Sequence, residues 1–289
     1  MKKIAILGCE NSHANAFLKF IKEKEEFADV EVIGVYSDKR EAAEKLNAKF
    51  GVPILEDYAD AVGKLDGLVI TARHGDNHYK YAKPYIDSGI PMFIDKPITI
   101  DEDEAILFMR SLRDKNVRIT GGSSLKQDVF VRQLKHEAEN ETDGKTLGGY
   151  VRAPYQSESE YGGFYFYAQH LTEMVCEIFG RFPLSVLAKR KGKQIHVIFR
   201  YEDYDCVGLF CDKNNLYYAS RMAEQSAKSF EIPITDDWFY EEFKEFYGIL
   251  SGKAQTVAYD EFISPVFIMN AIERSLESGR EEPIGKIEI

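Results

Sequence analysis

Side chains able to do chemistry sit where short apolar runs stop in this 289-residue chain. The first such place is Gly8-Cys9-Glu10-Asn11-Ser12-His13, directly after Ile4–Leu7. A glycine at a strand end permits a tight bend into a helix, and the amides of Asn11 and Ser12 at that helix start suit a pyrophosphate. A dinucleotide turn carries three glycines, Gly-x-Gly-x-x-Gly. Here only Gly8 remains, with Glu10 and His13 at the second and third positions. A carboxylate at Glu10 opposes a phosphate unless it turns away. The plain alternative is a strand-to-helix turn capped by Asn11 or Ser12. The second place is Val35–Arg40. An acid there binds ribose hydroxyls and favours NAD, whereas a serine followed by a basic residue favours NADP. The chain has Ser37 and Asp38, then Lys39 and Arg40. Asp38 opposes a 2′-phosphate and tilts the reading toward NAD, though a helix cap explains it equally well.

The third place is Thr71–His78, after an apolar run, where Arg73, His74 and His78 suit an anionic or polyol ligand. The fourth is Phe93-Ile94-Asp95-Lys96-Pro97. Proline ends the strand and stiffens the loop, which aims the Lys96 amine into the crevice at the sheet edge. A fifth group lies far downstream. His170 and Glu173 are three residues apart, so on a helix they share a face. A carboxylate there would raise the imidazole pKa and fix its tautomer. Tyr155, Tyr165 and Tyr167 are nearby candidates for substrate contact. The alternative for the run Phe164–Tyr167 is core or interface packing.

The elements needed to hold these groups are visible in the periodicity. Over the first 120 residues or so, strand patterns (Lys3–Gly8, Glu31–Ser37, Gly67–Ala72, Pro91–Asp95, Val117–Thr120) alternate with helix patterns. The helix patterns are the stripe Ala14, Phe17, Leu18, Ile21, then Glu41–Phe50, Asn77–Ser88 and Asp101–Lys115. Such alternation predicts βαβ units and a parallel sheet. After Gly121-Gly122-Ser123-Ser124 the pattern changes. A helix over Gln127–Glu139 precedes closely spaced strands at Gly149–Gln156, Leu184–Lys189, Gln194–Tyr201, Asp205–Cys211 and Leu216–Arg221, which predict an antiparallel sheet. Two helices follow. One is capped by Thr235, with Phe239, Phe243, Phe246 and Leu250 as its stripe. The other is capped by Ser264, with Pro265 at its first position and Gly279 as its stop. The expected fold is an α/β Rossmann domain (1–121) followed by an α+β domain (122–289) with a largely antiparallel open sheet.

Composition narrows the partners. A net charge of −11 argues against nucleic acid, and no apolar run approaches the roughly 20 residues of a membrane helix. The apolar start is too short for a signal peptide. Four cysteines without a Cys-x-x-Cys pair read as reduced thiols, so the expected location is the cytoplasm. No metal is expected. An open sheet needs covering, which predicts a homodimer or homotetramer.

Taken together, Gly8, Thr71–His78, Asp95-Lys96-Pro97, His170 and the ending Asn270–Arg280 resemble the Gfo/Idh/MocA oxidoreductases, the glucose–fructose oxidoreductase and inositol dehydrogenase family. The resemblance spans nearly the whole chain. It implies hydride transfer between NAD or NADP and a secondary alcohol of a sugar, inositol or related polyol. It places Lys96 against substrate and cofactor, with His170 as the proton-transfer group. It also implies a cofactor site drawn from Gly8, Glu10, Asn11, Ser12, His13, Ser37, Asp38, Thr71, His78, Asp95, Lys96 and Pro97. The second-domain family motif Asp-x-Gly-x-His departs here, with Phe166 and Ala168 in place of the aspartate and glycine. Glu173 is the substitute acid expected from spacing. Two other functions use the same fold: a lyase or glycoside-cleaving enzyme holding NAD tightly through cycles with no net redox change, and a nucleotide or sugar sensor.

Overall fold

The computed structural model describes residues 1–289. The first half is a five-stranded parallel sheet in the order β2-β1-β3-β4-β5, formed by β1 (Lys2–Leu7), β2 (Val30–Tyr36), β3 (Gly67–Ile70), β4 (Met92–Asp95) and β5 (Ile119–Gly122). A parallel bridge between Val35 and Ile54 extends it beyond β2. Helices α1 (Ser12–Glu23), α2 (Arg40–Phe50), α3 (Asp76–Ala82) and α4 (Glu102–Asp114) cross between the strands. Strands β3, β4 and β5 are buried along their whole length, as expected of a sheet covered on both faces. The chain runs outward from β1 in both directions across the sheet. The crevice at that switch point lies beyond the C-terminal ends of β1 and β3.

The second half begins with α5 (Val129–Glu139), β6 (Thr146–Tyr155) and α6 (Tyr165–Phe179). It continues through β7 (Ser185–Lys191), β8 (Gln194–Arg200), β9 (Asp205–Asp212), β10 (Tyr217–Ala223) and β11 (Ala227–Ile232). It closes with α7 (Asp237–Leu250), α8 (Tyr259–Ser278) and β12 (Glu281–Pro283). The seven strands are ordered β11-β10-β6-β9-β8-β7-β12. All neighbours are antiparallel except β6 and β9, which run parallel, so the sheet is mixed. Helix α6 packs on one face. Tyr150, Val207, Ile198 and Ser220, which pair in register, lie on the other, with Val207 exposed.

Two departures from the expected elements have physical causes. The closing helix starts at Tyr259, not at Ser264, so Pro265 lies inside it. Proline lacks the N–H that would bond the carbonyl four residues back. That carbonyl, Glu261 O, instead accepts from Ser264 Oγ (3.0 Å) and Arg181 Nη1 (3.2 Å), which removes the penalty of an orphaned acceptor. The preceding helix starts at Asp237 after Asp236, one residue later than a Thr235 cap implies.

Helix α7 returns to the first domain. Phe243, Phe246 and Ile249 join Phe17, Phe27 and Phe93 in one buried cluster under α1. Ring centroids of Phe17 lie 5.1 Å from Phe93 and 5.0 Å from Phe243. Phe262, Ile263, Val266 and Phe267 of α8 likewise fill the core on the α4 side. The second half therefore supplies structural parts of the first. This positions its acidic residues close to the sheet edge.

Candidate active site

Every strand of the parallel sheet ends at the same edge, and several of the side chains singled out from the sequence collect there. Gly8 adopts φ +74, and a Cβ on it would stand 2.4 Å from the Ala72 backbone. The turn is thus too tight for any side chain, as a nucleotide turn requires of its first glycine. Thr71 is fully buried and fastens the turn, its Oγ1 donating to Gly8 O at 3.0 Å. Asn11 caps α1 by accepting from Ser12 N (2.7 Å), and its Nδ2 donates to Asp95 Oδ2 (2.5 Å). Ser12 is exposed at the helix start.

Glu10 does turn away from the helix start. Its two oxygens accept from Ser37 Oγ at 2.7 Å and from Arg73 N at 3.1 Å. Asp38 is engaged elsewhere, accepting from Tyr36 OH (2.7 Å) and pairing with Lys80 (3.4 Å). It neither caps α2, whose cap residue is Lys39, nor joins Glu10 and Ser37.

The structure corrects two histidines placed in the cofactor set. His78 is fully buried, with its ring nitrogens 3.1 Å from Ile98 O and 2.9 Å from Ala72 O. It ties two loop backbones together and offers nothing to a ligand. Burial pushes its imidazole below the ordinary value, despite Asp95 nearby. His13 lies beneath α1 between two carboxylates, Asp95 Oδ2 at 3.3 Å and Glu242 Oε2 at 3.2 Å. Burial lowers its imidazole, but Asp95 and Glu242 outweigh that and hold it above the ordinary value. Burial likewise pushes the Glu242 carboxyl up to about 6, against the opposing pull of His13.

Asp95-Lys96-Pro97 is buried at the sheet edge. Asp95 Oδ1 accepts from Lys96 N at 2.7 Å, which folds the acid back onto its own loop. Lys96 is 5% exposed. Its Nζ lies 4.8 Å from the Phe166 ring centroid and 5.6 Å from that of Tyr167. An aromatic face thus occupies the place of the resembled family's aspartate. Burial, with Arg73 adding to it, pushes the Lys96 amine below its ordinary value against the pull of Asp95 and Glu242.

His170 reaches the same edge from α6. Its Nδ1 is 2.7 Å from Ser123 Oγ, and its ring packs edge-on to Tyr167 at 5.3 Å. Burial, then the charges of Lys96 and His13, hold the imidazole well below its ordinary value, so it stands neutral. The expected pairing with Glu173 does not form. Glu173 accepts instead from Arg181 Nη1 (3.3 Å) and Gln169 Nε2 (3.2 Å), and no carboxylate raises His170. Tyr155 and Tyr165 also leave the substrate set. Tyr155 is in the second core, with its OH accepting from Arg190 (2.9 Å), and Tyr165 donates to Asn270 on α8 (3.1 Å). Tyr167 stays beside Lys96 and His170.

Four residues not singled out in the sequence belong here. Ser123 orients His170. Gln169 accepts from Ile98 N (3.0 Å) and locks α6 to the Lys96 loop. Glu242 completes the His13 cluster. Tyr161, on the loop 156–164, lies over the ends of β2 and β3. Its OH accepts from Lys39 Nζ (2.8 Å), its ring centroid is 5.2 Å from the Arg73 guanidinium carbon, and Glu160 pairs with Lys39 at 3.2 Å. Only Glu242 had a readable signal, as an acid inside the aromatic stripe of α7.

A Rossmann domain with a lysine and a histidine at its switch point is thus followed by a domain with one open sheet face. Residues 2–123 match the family described as "Oxidoreductase family, NAD-binding Rossmann fold", GFO_IDH_MocA. The first domain is thus similar to the NAD-binding domain of that oxidoreductase family, over less than half of the chain. Solved structures share the whole fold. Myo-inositol 2-dehydrogenase from Lactobacillus plantarum superposes with a TM-score of 0.84 at 15% identity, covering 98% of this chain and 99% of that one. Scyllo-inositol dehydrogenase from Lactobacillus casei, with bound NAD(H) and scyllo-inositol, gives 0.85 at 13% identity over 99% and 100%. Myo-inositol dehydrogenase from Corynebacterium glutamicum gives 0.84 at 15% over 99% of each chain. No curated protein matches the chain in sequence. No helix is long and apolar enough to cross a membrane.

Proposed function

We propose that the chain is an NAD(P)-dependent dehydrogenase of a sugar, inositol or related polyol, acting at a secondary alcohol. The observation that carries this is the meeting of a buried Lys96 and a neutral His170 at the sheet edge beside an intact Gly8 bend. The residues present fit a dinucleotide. Gly8 gives the bend, α1 begins at it, Glu10 has turned toward β2, and Ser37 lies beside a cavity of about 240 Å³ between β2 and α2. Bound there, NAD(P) supplies hydride acceptance or donation.

The protein's own part is proton handling and positioning. In the tautomer whose Nδ1–H donates to Ser123 Oγ, the Nε2 of neutral His170 is left free to take the alcohol proton as general base. The Lys96 amine holds the same oxygen and, when charged, stabilises the negative charge that grows on it. Phe166 and Tyr167 exclude water around Lys96. The strap 156–164 lies over the β2–β3 end, where Glu160 and Tyr161 meet Lys39 and Arg73. The uncovered face of the second sheet, with Val207 exposed beside Tyr150, is the surface we assign to self-association, and sedimentation measures it.

The test is absorbance at the reduced-nicotinamide band with NAD and NADP across a polyol panel. Turnover by wild type and a fall of about 100-fold or more in kcat for Lys96→Ala are expected. Unchanged turnover in the variant refutes the lysine's role. The strap also favours a second reading, in which nucleotide is retained between cycles that show no net redox change. Stoichiometric NAD released on denaturation, with no turnover of added NAD, identifies it.

A further inference from the structure

The acid that binds ribose in a Rossmann domain normally extends from the end of β2. Here that position is Ser37, whose short hydroxyl carries no charge, and the next acid, Asp38, is held by Tyr36 and Lys80. A carboxylate is nevertheless present at the β2 end. It is Glu10, reaching across from the glycine turn to within 2.7 Å of Ser37 Oγ and anchored by Arg73 N at 3.1 Å. The residue that breaks the fingerprint thus replaces the one missing from β2.

We propose that Glu10, held by Ser37 and Arg73 N, is the acceptor for the adenosine ribose 2′-hydroxyl and makes this chain NAD-selective. The inference rests on the dinucleotide reading above. Three features support it. Glu10 is only partly buried. Ser37 is 6% exposed and lines the cavity of about 240 Å³ that continues between β2 and α2, where the nucleoside side of a dinucleotide would lie. Lys39 is taken by Glu160 and Tyr161, and the Arg73 guanidinium stacks on Tyr161. A 2′-phosphate would meet the Glu10 carboxylate. A ribose hydroxyl would donate to it, a charge-assisted bond worth more than a neutral one.

A purely structural Glu10 would hold the turn and affect both nucleotides alike, so the ratio of affinities decides. The experiment titrates wild type, Glu10→Gln and Glu10→Ala with NADH and NADPH by nicotinamide fluorescence, with thermal melting as a check of folding. Wild type is expected to prefer NADH by about tenfold or more, a difference of about 1.4 kcal/mol. In Glu10→Ala, NADH should weaken about tenfold while NADPH holds or tightens, and Glu10→Gln should fall between. Equal weakening of both nucleotides, or tighter NADH binding in either variant, overturns the proposal while leaving the dinucleotide reading standing. Absence of binding by both nucleotides to wild type overturns the reading itself, and the proposal with it.

Discussion

The buried cluster under α1 makes a sharp prediction about stability against pH. Glu242 is 1% exposed and shares His13 with Asp95, yet neither Glu242 oxygen has a well-formed hydrogen bond. Burial moves its carboxyl from an ordinary 4.5 to about 6. An acid raised on folding binds more protons in the folded than in the unfolded state between those values. Stability is therefore full below about pH 4.5 and falls as pH rises through about 6. At about 1.4 kcal/mol per pH unit, the loss is about 2 kcal/mol. Glu242→Gln keeps the shape, removes this titration and leaves His13 with Asp95. The variant should match wild type at the acid end and gain about 2 kcal/mol relative to it by pH 7. The assay is urea unfolding followed through Trp238, the only tryptophan. It lies one turn before Glu242 with Nε1 bonded to Asp128 (3.0 Å). A variant-to-wild-type difference that stays constant from pH 4.5 to 7, or moves the other way, refutes the reasoning.

Phe166→Asp restores a carboxylate beside Lys96, so the amine's pKa should rise by about one unit. The limb of the kcat/KM profile that reports loss of the Lys96 proton should move up by the same amount, which a pH–rate series measures. His78→Ala opens a cavity and strips the partner from at least one of two buried carbonyls. It should cost about 2–4 kcal/mol by urea unfolding.

Much of the fold was legible because its signals are local. The βαβ alternation, the Gly51 and Gly89 stops and the strand runs need only neighbouring residues to be read. The closing helix was misplaced for the same reason. Ser264-Pro265 looks locally like a start, and only Arg181, 80 residues earlier, helps accept the geometry of a proline inside the helix. The positions of the site residues were readable, but the directions of their side chains were not. Helix α6 is buried on almost every side from Phe166 onward, so periodicity cannot tell which neighbour Glu173 faces. Docking against Arg181 decides it. His13 and Glu10 looked like two equal faults in one turn. Packing separates them, sending His13 under the helix toward α7 and Glu10 toward β2.

The central claim is that this altered turn still holds a dinucleotide against Lys96 and His170. Fluorescence titration of the wild-type protein with NADH tests it most directly. Saturable binding in the micromolar range at one site per chain is expected, and absence of saturation up to millimolar NADH and NADPH refutes dinucleotide binding at this turn.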